Sequence, residues 1–373
     1  MTDPHRSLEE LEAVPDLLWI DVRTPSEHAQ GHIPGALNLP ILDDAERARV
    51  GIEYAQQGAM AAKLLGMNLV GPRLGPLVKR YSELAEGRPI ALYCWRGGMR
   101  SGLIGRLLHD LGIPVSILRG GYRAHRHEVM SHLETRIPPL VVLHGHTGSG
   151  KTILLRRLAA RFPVIDLEGL GSHRGSTFGD VGLPPQPTQL QFESALVQVL
   201  RRLPAGRPVL VEGESPALGV LKLPLPLIRA MRSGWRVILE VPRALRVRLL
   251  VEEYGPVIRG DTSSLARPLT YLKGRLPTAV LASLSEALAA GQLDTFCELL
   301  LERHYDALYE RWSRRGGERD YRRIAADSLE QAEHGIAAAL GEIDALFDAG
   351  ARGPELPPLE APRAEPAALP REG

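Results

Sequence analysis

Cysteine is scarce in this chain, with 2 in 373 residues, Cys94 and Cys297. Two thiols make no disulfide framework, which excludes the stapled secreted scaffolds and makes a reducing, cytoplasmic compartment the expectation. Long apolar runs are missing too. No stretch reaches the roughly 18 uninterrupted apolar residues of a membrane span, and the charged start, with Glu9, Glu10 and Glu12, does not read as a secretory leader. Excess charge of one sign is also absent: 45 Lys and Arg stand against 44 Asp and Glu, a net charge of +1. A polyanionic partner would have to meet a local basic patch, because the overall field is weak. Aromatics make up only 5% of the chain, yet 44% of residues are hydrophobic, enough for two cores and a tail.

What is present centres on Cys94-Trp95-Arg96-Gly97-Gly98-Met99-Arg100-Ser101. The apolar run Ile90 to Tyr93 leads in as a strand, and a helical pattern from Gly102 to Leu111 leads out. A cysteine at that junction lies at a helix amino end, where the dipole, loop amides, Arg96 and Arg100 all favour a thiolate. Gly97 and Gly98 let the backbone curl into an anion nest. A buried core cysteine would need none of these neighbours, so Cys94 reads as reactive. Cys297, in Phe296-Cys297-Glu298-Leu299-Leu300, reads as core.

Around this centre, short strands (Leu17 to Ile20, Leu37 to Pro40, Val115 to Leu118) alternate with helical segments, which predicts a small parallel α/β sheet. In such sheets reactive loops gather beyond the strands' carboxyl ends. Asp21-Val22-Arg23-Thr24-Pro25-Ser26-Glu27, Gly31-His32-Ile33-Pro34-Gly35-Ala36 and the Cys94 loop together resemble a rhodanese domain, over about residues 10–135. The resemblance implies that Cys94 carries sulfur or selenium and that Trp95, Arg96, Gly97, Gly98, Met99 and Arg100 cradle the bound anion. The three histidines of the following segment (His125, His127 and His132) do not share one face, so Arg123 to Pro139 reads as a solvated linker helix.

A second unit spans 138–345. The buried strand Leu140 to His144 runs into Gly145-His146-Thr147-Gly148-Ser149-Gly150-Lys151-Thr152 and then into a helix. This is a P-loop in its required strand–helix frame: backbone amides wrap a diphosphate, Lys151 reaches its outer charges and Thr152 can hold Mg²⁺. Further partners for metal or phosphate are Asp166 and Glu168 at the next strand, Glu212 where P-loop enzymes usually carry an Asp, and Arg174 in the polar stretch Gly169 to Gly179, a candidate lid. Beyond Arg229 the chain turns basic and aromatic. Arg243, Arg246, Arg303, Tyr305, Tyr309, Arg311 and Trp312 are candidates to neutralise phosphates and stack on unpaired RNA bases, the competing reading being a solvated helix face. Residues 349–373, rich in Pro, Ala and Glu, predict a disordered tail.

A rhodanese-like domain followed by a P-loop α/β domain with a helical carboxyl-terminal extension resembles the tRNA 2-selenouridine synthase family over nearly the whole chain. Leu167-Glu168-Gly169 to Phe178-Gly179 and His304-Tyr305-Asp306 to Tyr309 also match. The resemblance implies exchange of sulfur for selenium at wobble 2-thiouridine in tRNA. Selenophosphate would supply the selenium, and an S-geranyl intermediate would be made from geranyl diphosphate. No tightly bound cofactor, no membrane and a monomer are the accompanying expectations. The alternative is a rhodanese-type sulfurtransferase fused to an ATP-dependent kinase-like domain, and a regulatory tRNA-binding module is a third reading.

Overall fold

The computed structural model describes residues 4–258, 262–313 and 320–350. Two five-stranded sheets carry the architecture, every pairing in both is parallel, and helices cover both faces of each. The predicted α/β class is what forms.

The first sheet runs β1 (His5–Arg6), β5 (Val115–Leu118), β4 (Ile90–Tyr93), β2 (Leu18–Asp21), β3 (Leu37–Asn38) in spatial order. Its central strand β4 is buried at all four positions, as a parallel strand covered on both faces must be. One face packs Ile20, Leu92, Ile104 and Leu108, the other Leu11, Ala91, Tyr93 and Tyr122. Thr24 caps the helix Pro25–Gln30 through a capping box with Glu27. The stretch after β3 forms a long helix, Asp44–Val70, broken at Gly58, whose φ of +84° interrupts the helical path.

The second sheet runs β12 (Asp320–Ala325), β11 (Trp235–Glu240), β6 (Leu140–Gly145), β8 (Val209–Glu212), β7 (Val164–Ile165), with a small hairpin of β9 (Ala217–Leu218) and β10 (Leu221–Lys222) beside it. The basic run Tyr321-Arg322-Arg323 is part of the edge strand β12. A third cluster, built on Phe178, Leu250, Leu284, Phe296 and Leu301, holds the helical extension, and Cys297 is buried in it as expected. Residues 351–373 of the predicted tail lie outside the described residues.

The linker helix is not solvated. Helix Gly121–Thr135 buries Tyr122, His125, Val129, His132 and Leu133. Its start packs with the first sheet, while Val129 and Leu133 enter the core of the second. It lies along helix Gln189–Arg202, where Arg126 pairs with Glu193 and His125 Nε2 meets Ser194 Oγ at 3.3 Å. The His and Arg residues that make this helix look hydrophilic therefore fasten one sheet unit to the other. Thr188 Oγ1, at the head of Gln189–Arg202, donates to Gln30 O at 2.7 Å across the same seam.

Candidate functional site

Two strand–loop–helix junctions sit at the carboxyl ends of the central strands β4 and β6. At the first, Cys94 directly follows β4 and helix Met99–Asp110 begins five residues later. The loop is pinned by its glycines. Gly97 has φ +65°, and a Cβ there would lie 2.5 Å from Leu118 O; one on Gly121 would lie 2.3 Å from Cys94 O. The loops after β4 and β5 thus touch backbone to backbone, and Tyr122 N donates to Cys94 O at 2.8 Å.

The thiol is 4% exposed. Burial by itself pushes its pKa up, but the Ser101 hydroxyl, loop amides and the charge of Arg100 pull it down, and the net shift is downward. Gly98 N donates to Sγ at 3.2 Å and Ser101 Oγ at 3.3 Å. Ser101 is a site residue the sequence reading passed over; its position at the start of the leading-out helix was the available signal. Arg100 is held by Glu27, Nη2 to Oε1 at 3.0 Å, so it acts on the sulfur from a fixed position. Asp21 and Arg23 are structural: Arg23 is 1% exposed, forks onto Asp21, donates to Gly31 O at 2.7 Å and lies 4.1 Å under the Tyr122 ring. Trp95 and Met99, by contrast, face solvent.

At the second junction β6 enters the glycine loop and helix Lys151–Leu158 leaves it, with Gly148 and Gly150 at φ +77° and +80°. A Cβ on Gly145 would stand 2.8 Å from Ser149 Oγ and 3.0 Å from Leu239 O, so only glycine lets the loop close this tightly. Lys151 Nζ rests on Gly145 O at 3.0 Å and His146 O at 3.4 Å. The Ser149 hydroxyl is buried without a hydrogen-bond partner among the described residues. Thr152 Oγ1 donates to Glu168 Oε2 at 2.5 Å. These groups fit a bound diphosphate: an orphaned donor under the loop and a lysine folded onto carbonyls that an anion would draw away.

The acids around the loop divide in two. Asp166 is structural, Oδ1 accepting from Gly169 N at 2.6 Å and Oδ2 from Arg156 Nε at 2.7 Å, so both oxygens are already engaged. Glu212 is fully buried; Oε1 accepts from Glu168 N at 2.9 Å, and Oε2 has no partner among the described residues. Burial raises the pKa of Glu168 and holds that of Glu212 well above the usual carboxylate range. Glu214, outside the sequence-predicted set, is pushed up to about 8 by burial and then by the charge of Glu168, with Lys151 opposing. Its carboxyl lies against Gly175 of the predicted lid.

That lid is packed down. Arg174 donates to Val181 O at 2.7 Å and pairs with Glu253, which occupies it away from phosphate. Thr177 N donates to Tyr305 Oη at 3.2 Å. The expected RNA-stacking set is also largely internal. Arg246 is 5% exposed and grips Asp306 at 2.7 and 2.9 Å, beside the P-loop carbonyl of Thr147. Tyr309 packs on His146, ring centroids 3.9 Å apart. Tyr305 and Arg246 therefore support the phosphate loop and its lid, and do not face an RNA. Arg243 and Arg303 are more exposed but share Glu302 as an ion-pair partner. The side chains of Arg311 and Trp312 lie outside the described residues.

An activated cysteine on a rhodanese-type sheet, joined by a shared helix to a P-loop sheet, defines a two-site protein of thiol and phosphate chemistry. A family model for the rhodanese-like domain matches residues 5–128, and one for the tRNA 2-selenouridine synthase AAA domain matches residues 138–335. A tRNA 2-selenouridine synthase of Nitrosomonas europaea is 39% identical over 68% of this chain and 68% of its own length. One from Cupriavidus necator is 36% identical over 78% and 86%. One from Hydrogenovibrio crunogenus is 42% identical over 63% and 67%. The chain belongs to the tRNA 2-selenouridine synthase family and is an enzyme of that type. Among the described residues no helix is long and apolar enough to cross a membrane.

Proposed function

We propose that this enzyme replaces the sulfur of wobble 2-thiouridine in tRNA with selenium in two half-reactions, one at each loop. In the first, the P-loop holds geranyl diphosphate. The thiocarbonyl sulfur attacks the prenyl carbon, the C–O bond breaks, diphosphate leaves and the uracil ring loses its N3 proton. Lys151 and the loop amides stabilise the departing charge. A Mg²⁺ held through Thr152 would add Lewis-acid stabilisation of that leaving group. In the second, Cys94 delivers selenium to C2 and the alkylated sulfur departs as geranylthiol, a far better leaving group than the bare sulfide. If selenium rides on Cys94 as a perselenide, loading it from selenophosphate gives two electrons to a disulfide-class acceptor. A thiol returns them when it frees the selenocarbonyl.

The observation that carries this reading is the pair of loops themselves: a thiol hydrogen-bonded toward its anion, and a phosphate loop with a lysine resting on carbonyls and a buried serine hydroxyl that has no partner among the described residues.

The test is nucleoside mass spectrometry on thiolated tRNA given geranyl diphosphate and selenophosphate. Wild type should yield selenouridine, Cys94→Ala should stall at geranylated uridine, and Lys151→Ala should leave thiouridine untouched. ATP or GTP consumed in step with modification would refute the diphosphate role of the P-loop. Unchanged tRNA in all three would favour the sulfurtransferase–kinase alternative.

A further inference from the structure

Beside Cys94 the positive charges fall into two kinds. Arg23 is neutralised by Asp21, Arg100 by Glu27 and Arg126 by Glu193, and Arg119 donates to His5 O at 3.2 Å. Arg96 and Arg123 are exposed and have no acidic partner among the described residues. The interlocked loops bring them to one rim, since Arg123 N donates to Trp95 O at 3.0 Å. On that rim too is Trp95, 43% exposed, its ring centroid 5.9 Å from the buried Tyr122. An indole this open next to a reactive thiol and two unpaired guanidiniums is poorly explained by folding, because it adds little to the core.

We propose that the target nucleotide of the RNA is seated on this rim, with Trp95 stacking on the extruded base and Arg96 and Arg123 holding the flanking phosphates. The seat rests on the tRNA-modifying reading above and moves RNA contact from the helical extension to the cysteine loop. The Cys94 sulfur lies below the surface, so a base still stacked in its anticodon cannot reach it and must swing out. A sequence-tolerant aromatic platform flanked by cations is the usual way single-stranded nucleic acid is held in that state. On the helical extension Arg243, Arg246 and Arg303 are already paired or buried.

The experiment is fluorescence anisotropy of a labelled anticodon stem-loop carrying wobble 2-thiouridine, titrated with full-length protein across a salt series. Trp95→Ala should weaken binding about tenfold or more, the usual loss for one stacked base, and Trp95→Phe should recover most of it. Arg96→Gln and Arg123→Gln should each flatten the log–log salt slope by about 0.7. Unfolding midpoints matching wild type separate these losses from misfolding. Wild-type affinity and slope in all four variants, with the slope lost instead in Arg243→Gln or Arg303→Gln, would overturn the seat and leave the synthase reading standing. A wild-type protein that binds no thiolated stem-loop at any salt would overturn both.

Discussion

The Cys94 loop and the P-loop are built alike and charged differently. Each follows the central strand of a parallel sheet, curls on positive-φ glycines and opens a helix whose amino end favours an anion. At Cys94 the anion is part of the protein: the sulfur already has its donors, and its cation Arg100 is anchored by Glu27. At the P-loop the anion has to arrive. Lys151 lies on carbonyls, Ser149 has no partner among the described residues, and Glu168, Glu212 and Glu214 crowd behind with raised pKa values. One loop is organised for a charge it owns and the other for a charge it must capture. That difference fits a carrier paired with a co-substrate site.

The comparison can be broken most forcefully at the P-loop's support. Arg246 and Asp306 are both largely buried, so Asp306→Ala leaves a guanidinium unpaired and should cost about 3 kcal/mol, the lower end for such pairs. Chemical denaturation of Asp306→Ala beside the double variant Arg246→Met/Asp306→Leu checks this, and equal stability of wild type and Asp306→Ala would refute the buried-pair account. A smaller effect is expected at the thiol. Ser101→Ala removes a hydrogen bond to the anionic sulfur, worth about 1.5 kcal/mol, so iodoacetamide alkylation at neutral pH should slow about tenfold and its pH profile should move up. An unmoved profile would show that the loop amides and Arg100 suffice.

The smallest effect at neutral pH belongs to Glu214→Gln, because glutamine mimics the neutral carboxyl. A carboxyl with a raised folded pKa keeps its proton in the fold after the unfolded chain has released it. Its contribution is therefore full at low pH and fades as pH climbs from the ordinary 4.5 toward about 8. Unfolding midpoints from pH 5 to 9, a range chosen to span roughly that window, should fall less steeply for Glu214→Gln than for wild type. Identical profiles would place Glu214 outside the buried acid cluster.

Both loops were legible in the sequence because their geometry is local. A glycine nest and a strand–helix frame are written within eight residues, as in Cys94 to Ser101 and Gly145 to Thr152. Long-range partners were not. Arg246 reads as a surface cation until Asp306, sixty residues on, is folded against it. His125 and Arg126 read as solvated until helix Gln189–Arg202 covers them. Asp166 looks like a metal ligand because an acid at a strand's end often is, yet a helix amide and Arg156 engage both its oxygens.

The sequence by itself determined the two sheets, their order, the cysteine loop and the phosphate loop, since apolar periodicity and glycine placement act over a few residues. Only the tertiary structure decided which charges remain available. An arginine is neutral in effect once a buried acid meets it, and a glutamate stops being a reliable anion once burial holds its proton. Those outcomes depend on distance and desolvation between segments far apart in the chain, which no local pattern encodes.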